Sequence, residues 1–275
     1  MKVAVVGHVD YVEFLRVKRV PEPGAIVSAT EVWSEPAGGG GVASVRLARL
    51  AGDALFVTAV GDDELGRRAV AELRALGVRV EAAIRDEPQR RGFTYVDDDG
   101  ERTITLLSHK LVPRGNDALP WQELAAYDGV YFTGGDVEAV RRARQARVLV
   151  ATARELPTLR QAGIELDVLV RSAHDENERY ERGDLEPVPK LVVATEGDEG
   201  GSYDGEAGSG RFEAVPIPGP LADTYGAGDS FAAGLTYAFA RGDELDEALA
   251  FAAAQGAEAM TRRGAHGTRS VGSSR

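Results

Sequence analysis

The sequence predicts an α/β protein with a doubly wound, mostly parallel sheet, and the first reason is the order of its apolar segments. Short apolar runs rich in β-branched residues recur along the chain: VAVVG, ALFVTAV, GVYFTG, RVLVAT, DVLVRS and KLVVATEG. Most are followed by segments with helical spacing, such as VASVRLARLAG and ELGRRAVAELRALG. Strands that alternate with helices along a chain form parallel sheets covered by helices on both faces.

Length and composition are the second reason. The 275 residues, 43% hydrophobic and 28% charged, suffice for one large α/β domain or two small ones. The net charge of −12 argues against nucleic acid or an acidic membrane surface as partner. With no cysteine, disulfides, thiolate metal sites and a cysteine nucleophile are excluded. The start MKVAVVGHVD lacks the features of a signal peptide, and no apolar run is long enough to span a membrane, so we predict a cytoplasmic protein.

Two stretches break the alternation of strands and helices, and they predict a small antiparallel lid. IVSATEVW at 26–33 and GFTYVDDDGERTITLL at 92–107 alternate in polarity, and the second contains an Asp-Gly turn. Two short ribbons cannot bury a core of their own, which predicts a moving flap or a homodimer that pairs through the lids. We therefore predict one domain over 1–275, with lid segments at about 11–36 and 90–108 and a loose tail at 267–275.

DTYGAGDSFAAGL, residues 223–235, is the clearest candidate for a functional site. Gly226, Ala227 and Gly228 leave room for backbone N–H groups to point at a ligand, and a helix predicted to begin near Ser230 adds unpaired donors. Such a group of donors suits an anion. Asp229 beside it either takes part in chemistry or caps the helix.

The glycine run AGGGGVAS, residues 37–44, has two interpretations. Gly38, Gly40 and Ala43 fit the G-x-G-x-x-A pattern of dinucleotide sites, and Asp62 follows at a suitable spacing for a ribose contact. However, the preceding TEVWSEP is charged, alternating and ends in proline, unlike the buried first strand of such a site. Four successive glycines exceed what a turn needs, so close approach of a ligand to the backbone is the better interpretation.

Taken together, these motifs resemble the ribokinase-like (PfkB) carbohydrate kinases. DTYGAGDSFAAGL resembles the C-terminal signature of that family, and the order of further motifs agrees over nearly the whole chain: GHVD, PAGGGG, TAVGDDELG, the lid hairpin, ATEGDEGG and TRRGAHG. The resemblance implies a ribokinase-like fold whose β-lid covers the acceptor. It also implies transfer of the γ-phosphoryl group of ATP, with Mg²⁺, to a hydroxyl of a sugar or sugar-like alcohol.

The resemblance also implies roles for individual residues. Asp229 would accept the proton of the acceptor hydroxyl, while N–H groups of Gly226, Ala227 and Gly228 neutralise the transferring oxygens. The other implied sites are Asp10, Gly38, Gly39, Gly40 and Gly41 for the acceptor, Thr195, Gly197, Gly200 and Gly228 for ATP, Asp175 for Mg²⁺, and Asp223 with the loop 261–267 for a monovalent cation such as K⁺. A solvated carboxylate for Asp10 and plain turns around Thr195 and Asp223 are the alternatives.

The sequence departs from the family pattern at two motifs. Gly40 and Ala43 stand where the GGKGAN version of the glycine run has lysine and asparagine, which leaves the identity of the acceptor open. The family's N-x-x-E motif, which organises Mg²⁺, falls best on Ser172 and Asp175, with the glutamates of DENE as fallbacks. Three alternative functions stay open: a nucleoside kinase, a catalytically weak nucleotide-binding homologue and, least favoured, an NAD-dependent oxidoreductase.

Two arginines lead into the lid hairpin. Alternation places one of Arg90 and Arg91 on the outer face and turns the other toward the acceptor cleft. A cation there would favour an acceptor with a carboxylate or phosphate. The alternative is two solvated arginines that balance Asp86 and Glu87.

Overall fold

The computed structural model describes residues 1–206 and 208–267. Within these ranges the strands are β1 (Val3–Val6), β2 (Asp10–Arg16), β3 (Glu31–Ala37), β4 (Ala54–Gly61), β5 (Val78–Arg85), β6 (Arg91–Val96), β7 (Arg102–Leu106), β8 (Gly129–Phe132), β9 (Val148–Thr152), β10 (Val168–Ser172), β11 (Leu191–Thr195), β12 (Gly201–Gly205) and β13 (Gly208–Phe212). The α-helices are α1 (Gly38–Ala51), α2 (Glu64–Ala75), α3 (Val137–Ala143), α4 (Leu156–Ala162), α5 (Ala227–Arg241) and α6 (Leu245–Ala259). From residue 268 on, the predicted tail lies outside the described residues.

The large sheet confirms the predicted doubly wound α/β fold. Its strand order is β13-β12-β11-β10-β9-β8-β1-β4-β5. In this spatial order, every neighbouring pair between β11 and β5 is parallel. The pairs β11–β12 and β12–β13 are antiparallel. Starting from β1, the chain adds β4 and β5 on one side and then β8 to β13 on the other. The winding thus reverses between β1 and β8, and such a switch point is where open α/β sheets bind ligands.

Alternation along β1 sends side chains into two separate cores. Val3 and Val5 pack in a cluster with Leu235 of α5 and other side chains of α1 and α6. Ala4 and Val6 point to the opposite face, into a cluster with side chains of α3 and α4. Burial on both faces explains why the strand is one uninterrupted apolar run.

A second sheet, with the order β3-β2-β6-β7, confirms the predicted lid. Two antiparallel pairs, β2 with β3 and β6 with β7, are joined by the parallel pairing of β2 with β6. One face buries Phe14 and Trp33, while every residue of β7 is exposed. Strand β3 begins at Glu31, later than the predicted stretch 26–33, and continues past that stretch to Ala37. Its start is set by its partner β2, whose last residue Arg16 pairs with Glu31.

No helix within 1–206 and 208–267 has the length and apolar composition of a membrane span. Helices α5 and α6 have 15 residues each. The lid strands fall within the predicted lid segments, apart from Asp10 and Ala37 at their ends. The division of the chain into one domain over 1–275 with two inserted lid segments stays a prediction.

Candidate active site

The candidate site lies where β1 and β8 end, at the switch point of the large sheet. His8 follows β1 and Thr133 follows β8, and His8 Nδ1 lies 3.1 Å from the carbonyl oxygen of Thr133. Because a carbonyl oxygen can only accept, Nδ1 carries the proton and donates it. Burial lowers the pKa of His8 well below its usual value, and the charges of Lys110 and Arg90 lower it further. His8 is therefore neutral, with Nε2 left as an acceptor.

The predicted glycine loop is the first turn of α1. Gly38 has a φ of 75°, and a Cβ placed on it would lie 2.9 Å from Asp10 Oδ2. A Cβ on Gly39 would lie 2.9 Å from Asp229 Oδ1 and 2.6 Å from Thr133 Oγ1. The carboxylates of Asp10 and Asp229 thus lie close to two adjacent glycines, Gly38 and Gly39.

Tight packing explains why a lysine is missing from the glycine run. A Cβ on Gly40 would lie 2.5 Å from the carbonyl oxygen of His8 and 2.7 Å from the ring of Phe56, too close for any side chain. Gly41 has ordinary van der Waals space around it. The dinucleotide alternative is wrong, because β3, the strand before the glycines, belongs to the lid sheet and not to the parallel sheet.

Helix α5 begins at Ala227 rather than near Ser230. Gly226 precedes it in the left-handed region, with a φ of 74°, and its carbonyl oxygen accepts from the N–H of Ser230. The N–H groups of Ala227, Gly228 and Asp229 lie ahead of that bond and therefore have no acceptor within the helix. These are donors of the kind predicted for an anion.

Asp229 does not cap the helix. It lies in the first turn of α5, after the N-cap residue Gly226, and among the described residues no side chain caps this helix. The pKa of Asp229 is raised to about 6: burial is the largest cause, the negative charge of Glu178 adds to the rise, and Arg154 opposes it. A partly buried carboxylate with this pKa is a better proton acceptor at neutral pH than an ordinary aspartate.

Asp10 is the second carboxylate of the cleft and is 3% exposed. Its Oδ1 lies 3.6 Å from Arg90 Nε, and its Oδ2 lies 3.7 Å from His8 Nε2. Burial raises the pKa of Asp10 to about 6, Arg90 opposes the rise, and Asp229 adds to it. Alternation at the lid hairpin is as predicted, since Arg90 is buried in the cleft and Arg91 is exposed.

The predicted Mg²⁺ ligand Asp175 shares Arg154 with Glu178. Asp175 pairs with Arg154, Glu178 Oε1 lies 2.7 Å from Arg154 Nε, and Glu178 Oε2 accepts from the N–H of Ser172 at 2.6 Å. Of the two carboxylates, Glu178 is the one whose charge raises the pKa of Asp229. Within the part of the chain that the structure describes, no three acidic or histidine side chains form a ready metal cluster.

Asp223, the predicted cation ligand, ties two loops together. It is fully buried, its Oδ1 accepts from the N–H of Tyr225 at 2.9 Å, and its Oδ2 accepts from the N–H of Gly264 at 2.7 Å. Burial raises the pKa of Asp223, and these two hydrogen bonds oppose the rise. The residue thus joins the segment before α5 to the loop 261–267.

The predicted ATP loop begins at the end of β11. Thr195 is the last residue of that strand, and because β8, β10 and β11 are parallel, it lies at the same edge of the sheet as Thr133. Gly197 and Gly200 have φ values of 65° and 82°. A Cβ on Gly200 would lie 2.1 Å from the carbonyl oxygen of Phe212, so the turn itself requires this glycine.

The lid is fastened to the segment just before α5. Arg16 of β2 donates to the carbonyl oxygen of Ala222 at 2.9 Å. The N–H of Thr224 donates to the carbonyl oxygen of Gly100 at 3.0 Å. Arg102 of β7 donates to the carbonyl oxygen of Thr224, also at 3.0 Å. The lid therefore contacts the chain within a few residues of Gly226.

Sequence reasoning missed three residues of the cleft. Thr133 and Arg154 come almost directly after β8 and β9, so their place at the carboxyl ends of parallel strands could have singled them out. Lys110 pairs with Glu155, and its charge acts on the pKa values of His8, Asp10 and Asp229. Because Lys110 belongs to no helix or strand, no pattern in the sequence marks it.

A cavity of about 400 Å³ lies apart from this cleft, against β10 to β13. Its lining includes Arg171 and Arg211, and the predicted site residues are not among the residues that form it. The candidate site is therefore assigned from its converging functional groups and not from cavity volume.

The chain is similar to known proteins over nearly its whole length. The sequence pattern described as "pfkB family carbohydrate kinase" matches residues 1–156 and 136–270. An ATP-dependent ribose-1-phosphate kinase of Halopiger xanaduensis is 30% identical, over 96% of this chain and 94% of that protein. A probable fructokinase-5 of Arabidopsis thaliana is 26% identical, over 90% and 89%. The ribokinase of Thermotoga maritima has the same fold, with a TM-score of 0.77 at 22% identity over 96% of this chain and 94% of that one.

Proposed function

The chain belongs to the pfkB family of carbohydrate kinases, which move the γ-phosphoryl group of ATP to an alcohol, and we propose how its own residues divide this work. The observation that carries the proposal is the position of Asp229 within the first turn of α5. One carboxylate of raised pKa stands beside N–H groups without helical acceptors. A base for a hydroxyl proton and donors for phosphoryl oxygens are the groups that this transfer requires.

In the proposed mechanism the acceptor hydroxyl lies against Asp229, over Gly39. As the hydroxyl oxygen bonds to the γ-phosphorus, its proton passes to a carboxylate oxygen of Asp229, and the bond to the β,γ-bridging oxygen of ATP breaks. The N–H groups of Ala227 and Gly228 donate to the transferring oxygens. Gly226 turns the chain so that those donors face the cleft. The lid over the site limits access of water.

The acceptor and the nucleotide take opposite sides of Asp229 in this proposal. Asp10 and the glycines 38–41 line the acceptor side, since a Cβ on Gly38 would touch the Asp10 carboxylate. Thr195, Gly197 and Gly200 border the nucleotide side, at the carboxyl end of β11. What supports this division is the shared edge of the parallel sheet, where ligands of doubly wound folds bind.

Mg²⁺ suits this site through Glu178 and Asp175. Mg²⁺ is commonly held by one or two carboxylates together with waters and substrate phosphates, which agrees with two acidic side chains beside the cleft and no preformed cluster in the described ranges. When bound with ATP, the ion would neutralise charge on the β- and γ-phosphates. Glu178 is the better placed of the two, because its charge acts on Asp229.

Glu178→Gln is expected to raise the Mg²⁺ concentration for half-maximal rate by about tenfold, because one of the two carboxylates loses its charge. Asp175→Asn should raise it less. The acid limb of the pH–rate profile should also move to lower pH in Glu178→Gln, since a negative neighbour of Asp229 is removed. Mg²⁺ titration of initial rates checks this, with the exposed Glu176→Gln as control. A larger effect at Asp175 would identify that residue as the main ligand.

A monovalent cation at Asp223 fits only in part. Each carboxylate oxygen already accepts a backbone N–H, from Tyr225 and from Gly264, and this tie explains the residue without an ion. K⁺ therefore stays a prediction of the sequence, and no step of the proposed mechanism depends on it.

We further propose a homodimer that pairs through the lids. Strand β7 is the edge of the lid sheet, all its residues are exposed, and Ile104 and Leu106 are 41% and 47% exposed. An exposed edge strand with apolar side chains is a template for pairing with another edge. The cytoplasmic location and the absence of nucleic-acid and membrane partners stay predictions of the sequence.

A screen of ADP release with ATP and Mg²⁺ over pentoses, hexoses, sugar acids and nucleosides tests the proposed function. We expect turnover with a sugar. Preference for nucleosides would favour the nucleoside kinase alternative. Trp33 of the lid is an aromatic ring that could stack on a nucleoside base, but its ring already stacks on Phe14 at 5.0 Å and lies under Arg263 at 3.9 Å, which disfavours that alternative. ATP binding without turnover on any acceptor would indicate the catalytically weak homologue and overturn the proposal.

A further inference from the structure

Arg90 and Asp10 leave two buried atoms without hydrogen-bond partners at the far end of the acceptor cleft. Arg90 is 8% exposed and Asp10 is 3% exposed. Arg90 Nε and Asp10 Oδ1 lie 3.6 Å apart, too far for a hydrogen bond, and neither atom finds a partner among residues 1–206 and 208–267. Unpaired buried polar atoms are costly, so a pair of them at a binding site indicates a missing ligand group.

Their place in the cleft relates them to the reacting end. Asp10 lies against Gly38 and Asp229 lies against Gly39, and adjacent residues have Cα atoms only about 3.8 Å apart. One small molecule can therefore reach both carboxylates. With its reacting hydroxyl at Asp229, an acceptor presents another of its groups to Asp10 and Arg90.

The chemistry of that second group follows from what the two atoms need. Arg90 Nε–H can only donate, and the ionised Asp10 carboxylate can only accept. A hydroxyl both accepts and donates, so a single hydroxyl oxygen satisfies the two atoms at once. A phosphate or carboxylate would accept from Arg90 but would set its negative charge against Asp10, and an ammonium would set its positive charge against Arg90.

We propose that Arg90 is a specificity-determining residue which, together with Asp10, binds a second hydroxyl of the acceptor and thereby selects a neutral polyol end. This proposal rests on the proposed function. It disfavours the anionic acceptor that is one of the two alternatives for Arg90 and Arg91, because Asp10 already balances the buried arginine. Both atoms are closed off from solvent, so the hydroxyl reaches them as the lid segment that carries Arg90 closes over the acceptor.

The test uses D-ribose, D-fructose, their monodeoxy derivatives, ribose 1-phosphate and ribose 5-phosphate as acceptors. In Arg90→Met, kcat/KM for the better parent sugar should fall roughly ten- to a hundredfold, mainly through KM, as expected for one lost hydrogen bond to a charged group. The deoxy derivative that lacks the bound hydroxyl should be poorer by a similar factor with the unaltered protein and should lose nothing more in Arg90→Met. The exposed Arg91→Met is the matched control and should behave like the unaltered protein.

Two results would overturn the inference while leaving the kinase activity in place. One is an equal loss in Arg90→Met on the parent sugar and on every deoxy derivative, which would make Arg90 a structural partner of Asp10. The other is a loss confined to the two ribose phosphates, which would make Arg90 an anion-binding residue. Arg90→Lys, which keeps the charge and a donor, guards against a folding defect, and calorimetric binding of the same sugars gives a readout without turnover. Failure of the proposed function is distinct, since no sugar would then release ADP.

Discussion

Asp229→Asn is expected to lower kcat roughly 10²–10⁴-fold while ATP binds nearly as before. The asparagine keeps the shape of the side chain beside Gly39 but cannot take a proton from the acceptor hydroxyl. The first turn of α5 keeps its N–H groups, so the nucleotide loses little. Single-turnover measurements with saturating ATP, together with equilibrium binding of ATP, separate these two effects. A variant that retains most of its kcat would exclude Asp229 as the base.

The pH dependence supplies an independent check of the same residue. Because the pKa of Asp229 is about 6, kcat should rise with pH through about 6 as the carboxylate loses its proton. Asp10 has a similar pKa and lies nearby. The pH–rate profile of Asp10→Asn is therefore measured as well, to decide which of the two carboxylates causes the rise of kcat near pH 6. Stability should move in the opposite direction. Between pH 4 and 6 the folded protein binds protons that the unfolded chain has released, so these two groups lower the free energy of unfolding as pH rises.

Gly226→Ala is the second change from which we expect a large effect. Its φ of 74° lies in the left-handed region, and a Cβ would lie 2.9 Å from Val42 Cγ1. Either the backbone at Gly226 or the side chain of Val42 must shift, at the point where the chain enters α5. Loss of one such donor commonly lowers kcat by about 10²–10³-fold, so we expect a fall of roughly 10²-fold. Steady-state kinetics of the purified, folded variant measure it.

Gly242→Ala is the matched control for this change. Gly242 ends the same helix, its φ of 94° is also left-handed, and its Cβ would meet nothing within 4 Å. Both variants should lose about 1–2 kcal/mol of stability from backbone strain, but Gly242→Ala should keep its kcat. Equal losses of kcat in the two variants would mean that general destabilisation explains the effect, and not the orientation of the N–H groups at the start of α5.

Local pattern was enough to predict the class of the fold. Strands such as β1 and β4 are buried on both faces, and this burial requires the continuous apolar runs that the sequence displays. In the lid strand β6, buried residues alternate with more exposed ones, as expected for a strand with one covered face. The boundary errors have a simple reason, since β3 begins where its partner β2 ends at Arg16, and pairing across the chain leaves no local mark.

The candidate site was predictable where motif and backbone coincide. Asp229 and the glycines around it stand out because only glycine tolerates the left-handed turn at Gly226. Lys110 does not stand out, because it belongs to no helix or strand and its place in the cleft comes from long-range folding. The sequence also could not show that Glu178, and not Asp175, raises the pKa of Asp229. The short helical turn Glu176–Glu178 sets the positions of the two carboxylates.

The attachment of the lid to the segment 222–224 has a consequence for how the two substrates bind. Arg16 and Arg102 of the lid donate hydrogen bonds to the carbonyl groups of Ala222 and Thr224. These residues come directly before the turn at Gly226 that leads into α5. We therefore expect closure of the lid over an acceptor and ordering of the nucleotide-binding residues to be parts of one conformational equilibrium. Thermodynamic linkage makes their coupling free energy reciprocal: by whatever factor a bound sugar tightens the nucleotide, the nucleotide tightens the sugar. We expect the first substrate that binds to act, through the lid, as an effector of the second.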